Sequence, residues 1–135
     1  MGTTYSDPSL LQADLVAGTT NVVSSAASTT IITIPAGRVW RGSISAQLID
    51  TTAIGATFSS LNILTVGTNV APAAGTILLQ VIASPGGTGS EGNQATMNDV
   101  VVRAPAGNSV TINIQLSASA ATLEGTASCN GLLVA

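Results

Sequence analysis

Residues 109–119 read S-V-T-I-N-I-Q-L-S-A-S. Val110, Ile112, Ile114, Leu116 and Ala118 alternate with Thr111, Asn113, Gln115 and Ser117. A period of two with one apolar and one polar face is the signature of a half-buried strand. The stretch 40–48 repeats it, with Trp40, Ile44, Ala46 and Leu48 on one face and Arg41, Ser43, Ser45 and Gln47 on the other. By this parity Trp40 belongs to a core. Runs of the same kind over 20–25, 29–35, 57–66, 76–84, 95–103 and 122–134 bring the expectation to about eight short strands, separated by Gly, Pro, Ala and Asn. The fold class expected is therefore all-β, a single-domain sandwich of about eight strands, for which a jelly roll is the favoured architecture.

Pro35-Ala36-Gly37 and Pro105-Ala106-Gly107 each stand before a strong strand, and Pro72-Ala73-Ala74-Gly75 before a third. Proline suits the second position of a type I turn and glycine the fourth. Ile34-Pro35-Ala36-Gly37 fits that register, and the repeated motif reads as a strand connector. Only the first eighteen residues break the β pattern. Asp7 before Pro8 has the form of a helix cap with proline at the first helical position. Leu11 and Leu15 lie four apart, and Gly18 is placed to end a turn. The expected organisation is a short helix over about 8–16 within an arm of residues 1–18, then a sandwich domain over 19–135.

Some strands are apolar on both faces. Leu132 and Val134 oppose Cys129 and Leu133, and Leu78 and Ile82 oppose Leu79 and Val81. Strands of this kind are covered on both sides. In a lone sandwich the cover must come from another subunit or from the arm, so a homo-oligomer is expected.

Charge narrows the functional classes. Charged residues make up 7% of the 135, against about a quarter in ordinary domains. The net charge is −3, and Arg38, Arg41 and Arg103 are the only cations. Three arginines neutralise too few phosphates for nucleic-acid binding and too few headgroups for an anionic membrane. No run approaches the eighteen apolar residues of a membrane helix. The N-terminus lacks the basic start and apolar stretch of a signal peptide. Low charge weakens repulsion between copies, which suits a protein that lives in an assembly.

The inventory for catalysis is thin. Histidine and lysine are absent, which removes the common partners of a nucleophilic Ser or Cys. Cys129 stands alone, so no intrachain disulfide forms, and its face, shared with Leu123, Ala127 and Leu133, makes it a small core hydrophobe. Gly87-Thr88-Gly89-Ser90-Glu91-Gly92 matches G-x-G-x-x-G, but a β-branched run follows where a nucleotide fingerprint needs a helix, so a surface loop over 84–94 is expected. The six acids show no spacing for a calcium loop, and zinc lacks its usual ligands. No cofactor, metal or catalytic residue is expected, and the chain is read as a non-enzyme. Arg38 and Arg41 flank Trp40 and suit an intersubunit salt bridge or a fork to a neighbour's carboxylate.

The stretch Thr33-Ile34-Pro35-Ala36-Gly37-Arg38-Val39-Trp40-Arg41-Gly42-Ser43-Ile44, set in an Ala/Thr/Ser/Gly/Val-rich β pattern, resembles small virion proteins of tailed bacteriophages, closest in kind to capsid decoration (cement) proteins. The resemblance implies compact β domains, often trimers, that clamp neighbouring capsomers, with the arm 1–18 reaching onto the shell. Expected partners are further copies of the chain, as a trimer, and the major capsid protein. The expected location is the virion surface, after synthesis in the host cytoplasm. Candidate contact residues are Tyr5, Leu10, Leu11, Arg38, Arg41, Leu78, Ile82, Leu132 and Val134. The alternative is a tail, fibre or lectin-like module that binds a glycan receptor. Such modules usually offer aromatic platforms, and this chain has only Tyr5, Trp40 and Phe58.

Overall fold

The computed structural model describes residues 14–23, 26–50, 59–83, 91–117 and 123–135. Eight strands account for most of them: β1 (Leu15–Val23), β2 (Ala26–Ile34), β3 (Val39–Asp50), β4 (Ser59–Val66), β5 (Ile77–Ala83), β6 (Glu91–Arg103), β7 (Val110–Ser117) and β8 (Leu123–Leu133). They form two four-stranded antiparallel sheets, sheet A in the order β1-β8-β3-β6 and sheet B in the order β2-β7-β4-β5. First pairs with last, second with seventh, third with sixth and fourth with fifth. This nesting, one long hairpin rolled into two layers, is the strand order of a jelly roll.

The alternation seen in the sequence now has a cause. Trp40, Ile44 and Leu48 from β3, Leu61 and Ile63 from β4, Val102 from β6, and Ile112, Ile114 and Leu116 from β7 all point between the sheets and are fully buried. Trp40 is core, as its parity predicts, and its indole Nε1–H donates to the Val16 carbonyl at 3.0 Å. Below the ring, Gly42 and Gly131 face each other in register. A Cβ on Gly131 would come within 2.7 Å of both Gly42 Cα and Trp40 Cε2. The two glycines therefore form the floor of the indole's slot. Cys129 is buried among these residues, and burial pushes its thiol up to about 12.

Four expectations need correction. The helix does not extend to residue 16: Asp14 is helical, but Leu15 already begins β1, so Leu15–Gly18 belong to the sheet and not to an arm. Gly18 ends no helix. It lies opposite Cys129, and a Cβ there would strike the Ile31 carbonyl of β2. Cross-strand pairing with β8 outweighs the local helical signal, which is a weak preference. Secondly, the strand after the glycine-rich motif starts at Glu91, so the expected loop over 84–94 is shorter at its end. That strand also stands where a pyrophosphate-binding helix would have to be.

The third correction concerns the connectors. The hydrogen bond that closes the first turn runs from Arg38 N–H to the Pro35 carbonyl, 3.1 Å, so proline is the first residue and Gly37 the third. Gly37 has φ +76°, the left-handed value a type II turn requires at that place. Thr76 N–H to Ala73 O puts Gly75, φ +84°, at the same position, and Asn108 N–H to Pro105 O gives the third turn. All three turns lie at one end of the sandwich, and Gly37 N–H donates to Pro105 O at 2.7 Å. The other connections, 24–25, 51–58, 84–90 and 118–122, fall outside the described residues.

The fourth is Leu78. Parity set it beside Ile82 on an outward face, but the β4–β5 register slips between Ile63 and Leu64. The bulge leaves Leu78 partly buried against the core and gives Ile77 the outward place.

Candidate interaction surface

The outward face of sheet A is ordered in rows that cross all four strands. At the turn end, Leu15, Leu132, Arg41 and Val101 are register partners in sequence across β1, β8, β3 and β6. The neighbouring row runs Val134, Val39, Arg103, with Val134 N–H donating to the Val39 carbonyl at 2.8 Å. Leu15 is 50% exposed, Leu132 44%, Val101 46% and Val134 55%. Together with half-buried Val39 they make a contiguous apolar patch with one guanidinium at its middle. Arg41 Nη2 donates to Asp99 Oδ1 at 3.0 Å, and that carboxylate sits on a bulge of β6 where Asp99 takes φ +55°.

Away from the patch the same face becomes polar, with two uncharged rows and, beyond them, Glu124, whose Oε1 accepts from Asn21 Nδ2 at 2.8 Å. Thr19, Ser128, Ser45 and Thr96 form one row, and Asn21, Thr126, Gln47 and Gln94 the next. Six of these, Ser45, Gln47, Gln94, Thr96, Thr126 and Ser128, line a shallow open hollow of about 260 Å³. Its groups are hydroxyls and amides, suited to exchanging hydrogen bonds with water or a neutral ligand and not to moving protons at neutral pH. Among the described residues no three Cys, Asp or Glu side chains gather where a metal ion could be held.

Sheet B also presents apolar side chains outward. Ile77 is register partner to half-buried Leu64, and exposed Val66 follows on β4. Exposed Ile82 is separated from them by the polar pair Gln80 and Asn62, bonded at 2.7 Å. Asn113, buried on this face, donates from Nδ2 to Ser28 Oγ at 2.8 Å, while its Oδ1 has no partner among the described groups.

No family model matches the chain, and no curated protein matches it. Among solved structures, a chain from Bacillus endospore appendages, described as a novel family of disulfide-linked pili, aligns over 88% of this chain and 89% of its own, with 12% identity and a TM-score of 0.36. A likeness that distant carries nothing about function.

Of the residues singled out in the sequence, Arg41, Leu132 and Val134 come together in the sheet A patch. Arg38 stands at the adjoining end, where Nε donates to the Ala135 carbonyl at 2.8 Å and Nη2 reaches Asp14 Oδ1 at 3.5 Å. Both arginines flanking the tryptophan thus have carboxylate partners within the chain. Ile82 is exposed on the other sheet, and Leu78, partly buried, packs against the core. Tyr5, Leu10 and Leu11, like Phe58, lie outside the described residues. Sequence reasoning missed Leu15, Val39 and Val101. Leu15 was masked by its helical spacing to Leu11, whereas Val101 was visible as the middle of a Val-Val-Val run that must turn one valine outward.

Proposed function

We propose that this chain is a non-enzymatic structural protein that works by docking onto other protein surfaces, as a decoration protein does on a phage head. The observation that carries the reading is the apolar patch around Arg41 on the outward face of sheet A. Exposed apolar side chains that are contiguous, not scattered, mark interaction sites on soluble domains. A close-packed sandwich supplies a rigid mount, and several such mounts gathered about an axis would turn weak contacts into tight attachment. The trimer, the capsid partner and the virion location belong to this proposal. The test is direct. Purified empty heads mixed with the protein should retain it through sedimentation and withstand higher temperature or internal pressure. Heads that neither hold the protein nor gain resistance would refute the assignment.

A second reading, a glycan-binding module, draws on the hydroxyl- and amide-lined hollow. Binding on a glycan array that Gln47→Ala and Gln94→Ala abolish would favour it over the first.

A further inference from the structure

We infer that the outward face of sheet A packs against the same face of a second copy of this chain, about a twofold axis parallel to the strands. The inference rests on the reading of the protein as one that docks onto protein, and it names the surface, the occupant and the orientation. The rows of this face differ in kind. Below the apolar row of Leu15, Leu132, Arg41 and Val101 come Ala17, Asn130 and Ser43. The hydroxyls of Thr19, Ser128, Ser45 and Thr96 follow, and then Asn21, Thr126, Gln47 and Gln94. A twofold along the strands lays each row over its own equivalent, leucine and valine on leucine and valine, hydroxyl on hydroxyl, amide on amide. A twofold across the strands reverses the order and sets the apolar row against amides, which lose water there and gain no partner. The hydroxyl row also reads the same from either edge, Thr-Ser-Ser-Thr, with Thr19 bonded to Ser128 at 2.9 Å and Ser45 to Thr96 at 3.5 Å.

Geometry and charge agree with this pairing. Sheets stacked face to face lie about 10 Å apart with their strands about 30° askew. The outer strands β1 and β6 stand about 7 Å from the middle of the sheet, so that angle moves them by about 4 Å along the strands, against about 7 Å between rows. The rows therefore stay matched out to both edges. Four strands by about nine residues give a footprint of about 600 Å² on each copy, so the pair buries about 1,200 Å², which reaches the range of specific interfaces. Arg41 enters the contact with its own counterion, Asp99, at 3.0 Å. Arg103 is exposed on β6 with no ion-pair partner among the described residues. The twofold carries it to the β1 edge of the second copy, one row beyond Leu15, where half-exposed Asp14 stands. Such a contact is isologous and closes at two copies, and a threefold contact through another surface would combine with it into a dihedral assembly.

The test uses the full chain. One preparation carries Ser43→Cys and another Asn130→Cys, and the two are mixed, concentrated together and treated with a short thiol crosslinker. These positions are register partners on the central strands, next to the axis and outside the apolar row, and buried Cys129 does not compete. The expected product joins one copy of each, whereas Ser43→Cys mixed with Asn21→Cys gives none. Light scattering on the wild type should show reversible pairing as concentration rises. Leu132→Ser should weaken that pairing about a hundredfold, about tenfold for each of the two equivalent sites. Val101→Ser reads the same surface from another strand should Leu132→Ser not fold. A chain that stays single or forms only threes, crosslinks absent or favouring position 21 over 130, or pairing unchanged in the folded variant would each overturn the inference. Failure here is separable from failure of the function: pairing lost while heads are still bound, or heads released while pairing persists, tells the two apart.

Discussion

The slot beneath Trp40 gives the sharpest test of how this sequence holds its fold. Trp40→Ala removes a fully buried ring and the Nε1 donor to Val16, at a cost of about 3–5 kcal/mol. Gly131→Ala overfills the same site from below. Two of the three atoms its Cβ meets are backbone, the Arg41 carbonyl oxygen and Gly42 Cα, and the third is indole Cε2. Overpacking of this kind costs about 1–3 kcal/mol, and the central position of β3 and β8 in sheet A leaves little room to yield. In the double variant the indole is gone, so only the backbone part of the glycine's penalty remains. The two changes should then cost less together than their sum, by about 1 kcal/mol. Urea unfolding followed by far-ultraviolet circular dichroism measures all three variants, because Trp40 is the sole tryptophan and fluorescence is lost with it. Costs that add within about 0.5 kcal/mol would show that Gly131 does not shape the slot.

Other consequences are simpler. Burial raises the Cys129 thiol to about 12 from an ordinary value of 9.0, so the unfolded chain ionises first and stability should fall between those pH values, by about 1.4 kcal/mol per unit. Cys129→Ala should flatten that slope, and a thiol reagent at pH 8 should label the wild type only after unfolding. Gly75 has φ +84° with open space around it, so Gly75→Ala should cost about 1 kcal/mol through backbone strain alone, and Gly75→Asn less, as thermal melts would show. Asp99→Asn breaks the Arg41 ion pair, whose side chains are 57% and 78% exposed, and should change stability by less than about 1 kcal/mol in the same melts. A larger loss would mean that the bulge of β6 depends on the pair.

How much of this was legible beforehand follows from where the determining forces act. Alternation in 40–48, 109–119 and 122–134 declared strands, an inward Trp40 and an inward Cys129, because a period of two is local and a buried face leaves its mark on every second residue. Strand order is not local. β1 meets β8 across more than a hundred residues, and nothing near Leu15 announces Leu132. The same distance explains the misread arm. Asp7-Pro8 and the Leu11–Leu15 spacing are fair helix signals, but Gly18 is glycine because β2 passes too close for a Cβ, a reason visible only in three dimensions. Parity failed at Leu78 for a related cause, since one bulge reverses the faces of every residue beyond it.

The docking patch was legible only in fragments, and the way it is assembled says why. Each member is a single residue on a different strand or on the tail: Leu15, Val39, Val101, Leu132 and Val134. Singly, an exposed valine or leucine on a strand is ordinary. What makes them a surface is that β8 and β3 lie between β1 and β6, so that four unrelated sequence positions become one row. The low charge of the chain then matters in a second way. Most of the charges the face does carry gather in and beside the patch, as Arg41 with Asp99, Arg38 with Asp14, and Arg103, while the rows beyond them are Ser, Thr, Asn and Gln, which pair with a protein partner at little desolvation cost compared with ions. An apolar corner set with arginines and continued by rows of neutral hydroxyls and amides is therefore the joint product of topology and composition, and neither alone would have produced it.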